Sequence, residues 1–243
     1  MPTIVFGTKK GGAWKSLTTL NLAGAMANRG YRVCVVDTDT NETSDAFLRR
    51  RNQYNEQQSQ LNRPTVPFIK SELKRPTANV GPDLVDLDKT YDYVLVDTGG
   101  YENNAFKTAV AVADIVYMPF LPCQADIEQV APTLKVVSEI EQNMRMAYPD
   151  YEIDTRLLIT GVDQYSKDLM VEAKAMVQAL LPYASISGCT IGSVKKVRTV
   201  QDDGLTLSDI KHPKRAMYDL LLEEILGERD VAMVRQEEVA QDG

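Results

Sequence analysis

The sequence predicts an α/β fold, a doubly wound and mostly parallel sheet flanked by helices. Three observations predict it. Short β-branched runs alternate with longer helical patterns along the 243 residues. The runs are apolar almost throughout, as strands covered on both faces must be. Residues able to do chemistry fall just after the runs, at the strand ends where such sheets bind ligands.

The elements follow in order. Thr3–Phe6 reads as a buried strand. Ser16–Arg29 reads as a helix, with Leu17, Leu20, Gly24 and Ala27 at helical spacing and Gly30 as its stop. Arg32–Val36 is a second strand, Tyr93–Val96 a third, and Ile115–Met118 a fourth, closed by Pro119. The stretch from Arg49 to Lys89 is polar and carries Pro64, Pro67, Pro76 and Pro82. It is expected to hold one short strand and one helix without fixed positions. Ile127–Ala147 reads as mainly helical, Arg156–Thr160 as a fifth strand, Lys167–Leu181 as a helix and Ser185–Ile191 as a sixth strand. Pro213–Leu226 is the last clear helix, its proline suited to a first helical turn. Residues 1–227 are expected to form a single domain, and 228–243 an acidic, Gln-rich tail without the basic and bulky apolar faces of a membrane-surface helix.

Composition narrows the function classes. Hydrophobic residues at 44% suffice for a full core in a chain of this length. The net charge of −7 excludes a constitutive polyanion binder, so any nucleic-acid contact needs a local basic patch or an assembled state. Cys34, Cys123 and Cys189 form no paired motif, which fits a reducing cytoplasm, and Cys34 reads as a buried structural thiol. No basic leader precedes the first apolar run, and no stretch reaches the roughly 18 apolar residues of a membrane span. A cytoplasmic protein without a membrane partner is expected.

The first strand runs into Gly7-Thr8-Lys9-Lys10-Gly11-Gly12-Ala13-Trp14-Lys15-Ser16, and a helix follows at once. This is the layout of a phosphate loop, in which small residues let backbone N–H groups approach the oxygens and the helix N-terminus adds its dipole. Lys15 would neutralise β- and γ-phosphates, and Ser16 would offer a hydroxyl to Mg²⁺. The strict pattern fails at Lys9 and Trp14, where it requires glycine. Other residues strengthen the reading. Val35-Val36-Asp37-Thr38-Asp39 ends the second strand with two carboxylates, and Leu95-Val96-Asp97-Thr98-Gly99-Gly100 ends the third with another. Acids at strand ends beside a phosphate loop are what a Mg²⁺–nucleotide site needs.

These motifs resemble those of the ParA/MinD family of P-loop NTPases. Lys10-Gly11-Gly12-x-x-Lys15-Ser16 is similar to its deviant Walker A box. Asn21-Leu22-Ala23, Val36-Asp37-Thr38-Asp39, Tyr91-Asp92-Tyr93-Val94-Leu95-Val96-Asp97 and Ala113-Asp114-Ile115-Val116-Tyr117-Met118-Pro119 continue the likeness. It reaches Gly204-Leu205-Thr206-Leu207 and Pro213 and is weakest between Arg49 and Lys89. The small, plasmid-type ParA branch fits best.

The resemblance implies a role at each matching position. Lys10 is the signature lysine reaching a partner's phosphates across an ATP-sandwich homodimer, and Lys15 the ordinary loop lysine. Asp39 holds the catalytic water. Ser16, Asp37 and Asp97 support Mg²⁺. Gly11, Gly12, Ala13, Trp14, Lys15, Ser16 and Leu17 cradle ATP, and Thr98, Gly99 and Gly100 open a switch that senses the γ-phosphate. It also implies ATP hydrolysis coupled to segregation of a plasmid or similar cargo, non-specific DNA binding with nucleoid association in the ATP state, and a ParB-like centromere-binding partner. Lys195, Lys196 and Arg198, and Lys211, Lys214 and Arg215, are the candidate DNA contacts, with solvated surface charge as the alternative. Arg49-Arg50-Arg51 reads either as helix-end charge or as a third contact surface.

The chain departs from the family at four positions. Trp14 stands where glycine is expected, and a non-glycine residue forced into that backbone costs on the order of 1–3 kcal/mol. Leu17 replaces a threonine, and Thr40 and Asn41 replace Pro and Gln. Trp14 is the one aromatic residue not assigned to the core. Its presence leaves a second reading open, a ParA-like pseudo-ATPase that binds DNA or a partner without turnover. His212 reads as a loop residue rather than a ligand.

Overall fold

The structure, a computed structural model, describes residues 2–8, 14–100, 102–162, 167–194 and 199–227. Its strands are β1 (Thr3–Phe6), β2 (Val33–Asp37), β3 (Lys70–Leu73), β4 (Tyr93–Asp97), β5 (Ile115–Phe120), β6 (Asp154–Val162) and β7 (Ser185–Gly192). They form one seven-stranded sheet in the order β3-β2-β4-β1-β5-β6-β7, and every pairing is parallel. The helices are α1 (Lys15–Asn28), α2 (Thr43–Gln60), α3 (Gly81–Asp88), α4 (Asn104–Val110), α5 (Gln124–Arg145), α6 (Lys167–Met176) and α7, residues 216–227.

The period-2 alternation of the central strands builds two cores. Ile4 and Phe6 of β1 point into one, with Leu20, Leu22 and Met26 of α1, Phe47 and Leu48 of α2, and Tyr218, Leu221 and Leu222 of α7. Val5 points into the other, with Phe106 of α4, Val130 and Leu134 of α5, and Ala173 of α6. Burial of each such large side chain contributes roughly 1.5–3 kcal/mol. Cys34 is buried in the second core, and burial pushes its thiol up to about 12. Gly24 lets α1 lie against the 204–209 segment, because a Cβ there would sit 2.3 Å from Thr206 Oγ1.

The sheet order also sets the ligand crevice. The chain leaves β1 toward β2, whereas the connection after β4 crosses to β5 on the other side of β1. The carboxyl ends of β1 and β4 therefore flank a switch point, where α/β sheets hold ligands.

Several expectations shift. β5 continues through Pro119 to Phe120 instead of stopping at Met118. Beyond Tyr117 its only registered neighbour is β6, so the missing proline N–H breaks no bond to β1. The polar 49–89 stretch holds the end of α2, then β3 and α3, and α4 occupies a segment with no expected element. Asn103 starts α4, its side-chain oxygen accepting from Phe106 N at 2.7 Å. α6 ends at Met176, not Leu181, and a short 3₁₀ turn, Gln178–Leu180, follows. Pro213–Arg215 is a 3₁₀ turn before α7, capped by His212 Nδ1, which accepts from Lys214 N at 3.2 Å. Burial removes Arg51 from the contact surface that the arginine triplet could form. Arg51 is fully buried on Asp209, Arg50 donates to Gln201 O, and Arg49 pairs with Asp45. The 228–243 segment lies outside the described residues.

Candidate functional site

Strand register assembles the site. Asp97 lies beside Phe6 across the β4/β1 ladder and beside Asp37 across the β4/β2 ladder. The two carboxylates and the mouth of the glycine-rich loop thus share one row at the carboxyl edge. Threonines tie this row together. Thr98 Oγ1 donates to Phe6 O at 2.8 Å, and Thr38 N donates to Asp97 O at 2.9 Å. Gly7 is required, since a Cβ there would meet the Phe106 ring at 2.2 Å.

Asp37 is fully buried and holds the chain that follows it. Its Oδ1 accepts from Asp39 N and its Oδ2 from Asp45 N, both at 2.9 Å. Burial raises its carboxyl above the usual range, and these backbone donors oppose the rise. Asp39 is oriented from the other side. Its Oδ1 accepts from Asn41 N at 3.0 Å, Asn41 Nδ2 at 3.1 Å and Thr40 Oγ1 at 3.3 Å. Thr40 and Asn41, two of the four departures from the family pattern, therefore position Asp39. Gly99 packs against it as well, since a Cβ on Gly99 would lie 3.2 Å from both Cα and Cγ of Asp39.

Asp97 is fully buried, and its Oδ2 accepts from Ser44 Oγ at 2.6 Å. Burial pushes its carboxyl up to about 6. The Ser16 and Ser44 hydroxyls and the Lys15 charge favour the ionised form, and Asp37 opposes it. Its Oδ1 has no hydrogen-bond partner among the described residues. A buried acceptor left empty is costly, and a hydrated divalent cation supplies donors to such an atom through its waters. The residues present fit Mg²⁺ on that ground, and Asp97 and Ser16 would hold it. A bound Mg²⁺ neutralises charge on phosphate oxygens.

Lys15 is buried to 6% exposure at the start of α1. Burial lowers its pKa, while Asp97, Asp39 and Asp126 draw it up. Asp126 and Ser44 escape the sequence reading. Asp126 lies in the first turn of α5, where an acid looks like an ordinary complement to the helix dipole, and its Oδ2 accepts from Leu121 N at 3.1 Å. Ser44, in the first turn of α2, reads in sequence as a helix-start residue.

Trp14 takes the conformation its position demands, with φ 62° and ψ 19° in the left-handed region. It is half-buried and packs with Leu17 against the first core, which corrects the expectation that it stands apart from the core. Lys10, Gly11, Gly12 and Ala13 lie outside the described residues, as do Lys195, Lys196 and Arg198. Of the remaining basic positions, Lys211 is exposed. Lys214 Nζ donates to Ser193 O at 3.2 Å, and Arg215 faces Asp219 at 3.7 Å.

A model of the family described as ATPase MipZ matches residues 2–145. The chain belongs to the MipZ family. The family is one of P-loop ATPases of ParA/MinD type. The MipZ-family chain is 27% identical to protein VirC1 of Rhizobium radiobacter over 149 residues, which span 61% of this chain and 62% of that relative. Its fold is that of the MinD cell division protein of Aquifex aeolicus, with 19% identity, a TM-score of 0.69, and coverage of 93% of this chain and 97% of that one. The ParA of pNOB8 bound to non-specific DNA shares the fold at 14% identity and a TM-score of 0.58, covering 93% of this chain and 99% of that one. Among the described residues of this MipZ-family chain, no helix is long and apolar enough to cross a membrane.

Proposed function

We propose that the chain is an ATP-dependent partition protein. It binds ATP with Mg²⁺ and pairs into an ATP-sandwich homodimer. The dimer binds DNA without sequence preference on the nucleoid and hydrolyses ATP to segregate a plasmid or similar cargo. The observation that carries this reading is the buried, half-satisfied Asp97 beside Lys15 and the row of Asp37 and Asp39.

Gly11, Gly12, Ala13, Trp14, Lys15, Ser16 and Leu17 hold the phosphates, and Lys10 reaches the partner's nucleotide. A second lysine at that spacing makes dimerisation depend on ATP, since one γ-phosphate does not need two cations in cis. Asp39, held by Thr40, Asn41 and Gly99, orients the attacking water. Asp37, beside Asp97 in the β2/β4 ladder and with both oxygens serving backbone N–H groups, would support the metal indirectly. Lys211, Lys214 and Arg215, with Lys195, Lys196 and Arg198, form the DNA face, doubled by dimerisation. Hydrolysis answers to a ParB-like partner. The protein works in the cytoplasm.

Titration calorimetry with ATP–Mg²⁺ and light scattering test this together. The wild type is expected to bind ATP and dimerise, and Lys10→Ala to bind but stay monomeric. A wild type that binds ATP without turning it over would leave the pseudo-ATPase reading. No ATP binding at all sinks the proposal. DNA affinity of the ATP-bound dimer is expected to fall steeply with salt, each lost phosphate contact reducing the logarithmic slope by about 0.9. Gly99→Ala is expected to slow ATP turnover by about 10- to 100-fold through displacement of Asp39, with a thermal midpoint close to the wild type. An unchanged rate removes Asp39 from the water-orienting role.

A further inference from the structure

We propose that Trp14 is a positioning residue. Its indole, laid on Gly161 at the carboxyl end of β6, pins the residue before Lys15 in the left-handed conformation that the phosphate site otherwise obtains from glycine. This rests on the ATP reading above and explains how a residue that departs from the family pattern can serve it.

The contact is built from both sides. A Cβ on Gly161 would stand 3.2 Å from Trp14 Nε1 and 3.5 Å from Trp14 Cε2, so the ring lies directly against the space a side chain at 161 would enter. The same Cβ would meet Leu121 Cδ2 at 2.3 Å, so the chain leaving β5 closes the slot from another side. Gly161 itself has φ +71°, so glycine is needed there for its backbone as well as for the ring. Trp14 also packs against the core that α1 shares with β1, and its carbonyl accepts Thr18 N at 2.8 Å as α1 begins.

The ring therefore joins the start of α1 to a strand two places away from β1 in the sheet. A glycine at position 14 reaches the left-handed region freely but is not held there. Tryptophan is strained there and anchored there. The loop's exit, and Lys15 directly after it, is thereby fixed before nucleotide arrives, which lowers the ordering cost of binding.

An alanine at position 14 separates strain from anchorage. It keeps the strain and loses the ring. The expected order of ATP–Mg²⁺ affinity, measured by calorimetry, is wild type and Trp14→Gly within about threefold of each other, and Trp14→Ala about tenfold weaker than both. Trp14→Ala binding as tightly as wild type overturns the proposal. A second comparison isolates the contact. Gly161→Ala is expected to weaken binding about tenfold in the wild type and distinctly less in the Trp14→Gly background, where only the backbone and Leu121 costs remain. Equal losses in both backgrounds overturn the proposal and assign Gly161 a backbone role alone.

Trp14 is the only tryptophan, so its fluorescence reports the contact without nucleotide. The wild type is expected to show blue-shifted emission and weak acrylamide quenching, and Gly161→Ala a red shift and stronger quenching. Identical spectra overturn the contact. A wild type that shows the shielded spectrum yet binds no ATP refutes the ATP reading, and the positioning role with it, while leaving the contact standing.

Discussion

Lys15→Ala is expected to weaken ATP binding at least about thirtyfold. Lys15 is buried, and Asp97, Asp39 and Asp126 act on its charge. Truncating a buried partner of phosphate costs about 2–5 kcal/mol, or roughly thirty- to several-thousand-fold in Kd. The loss compounds in this chain because the lysine also balances carboxylates. Without it, the γ-phosphate would enter a site where Asp97, Asp37 and Asp39 cluster with no cation on α1 to offset them. Lys15→Arg keeps the charge but not the compact ammonium, and is expected to recover only part of the affinity. Calorimetry with ATP–Mg²⁺ checks both variants. Unaltered affinity in Lys15→Ala would remove this lysine from the nucleotide site.

Arg51→Ala is expected to cost about 3–5 kcal/mol of folding stability, read from the urea midpoint. The Arg51 side chain has no exposed surface, and the Asp209 side chain is 1% exposed. The guanidinium forks onto the carboxylate at 2.6 and 2.9 Å and also donates to Gly204 O and Pro67 O. Removing it strands a buried charge and two carbonyls together. The pH dependence has a defined sign. Burial acts to raise the Asp209 carboxyl, but Arg51, Asn28 and Thr206 N–H outweigh it and hold the group below the ordinary carboxylate range. A depressed carboxylate stabilises the fold fully above its unfolded value of about 3.9, and that stability is lost as pH falls through the lower folded value. The gap between wild type and Arg51→Ala is therefore expected to be widest near neutrality and to narrow below about pH 4. A gap that grows on acidification contradicts the ion pair.

The parts of the fold legible in sequence are those where local pattern and chemistry coincide. Thr3–Phe6 is read to the residue because a wholly buried strand and a glycine-rich turn leave one interpretation. Asp37 and Asp97 are legible as strand-end acids because each closes an apolar run. What escapes is decided by distant partners. Three adjacent arginines look alike in sequence, yet one is sealed on Asp209, 158 positions away, while Arg49 stays on the surface. Asp126 reads as a helix-start charge because nothing local shows that α5 begins beside Lys15. Trp14 is recognisable as a departure, but its compensation lies in Gly161, which its own neighbourhood does not reveal.

The central place of β1 governs the order in which the protein can take shape during synthesis. Val5 is flanked by Val96 on one side and Val116 on the other. β1 leaves the ribosome before both strands that pair with it, β4 and then β5. Parallel pairings of such long sequence separation are slow to close. β1 must therefore wait, apolar and unpaired, until both strands have followed, and in that interval association with other nascent chains is the main hazard.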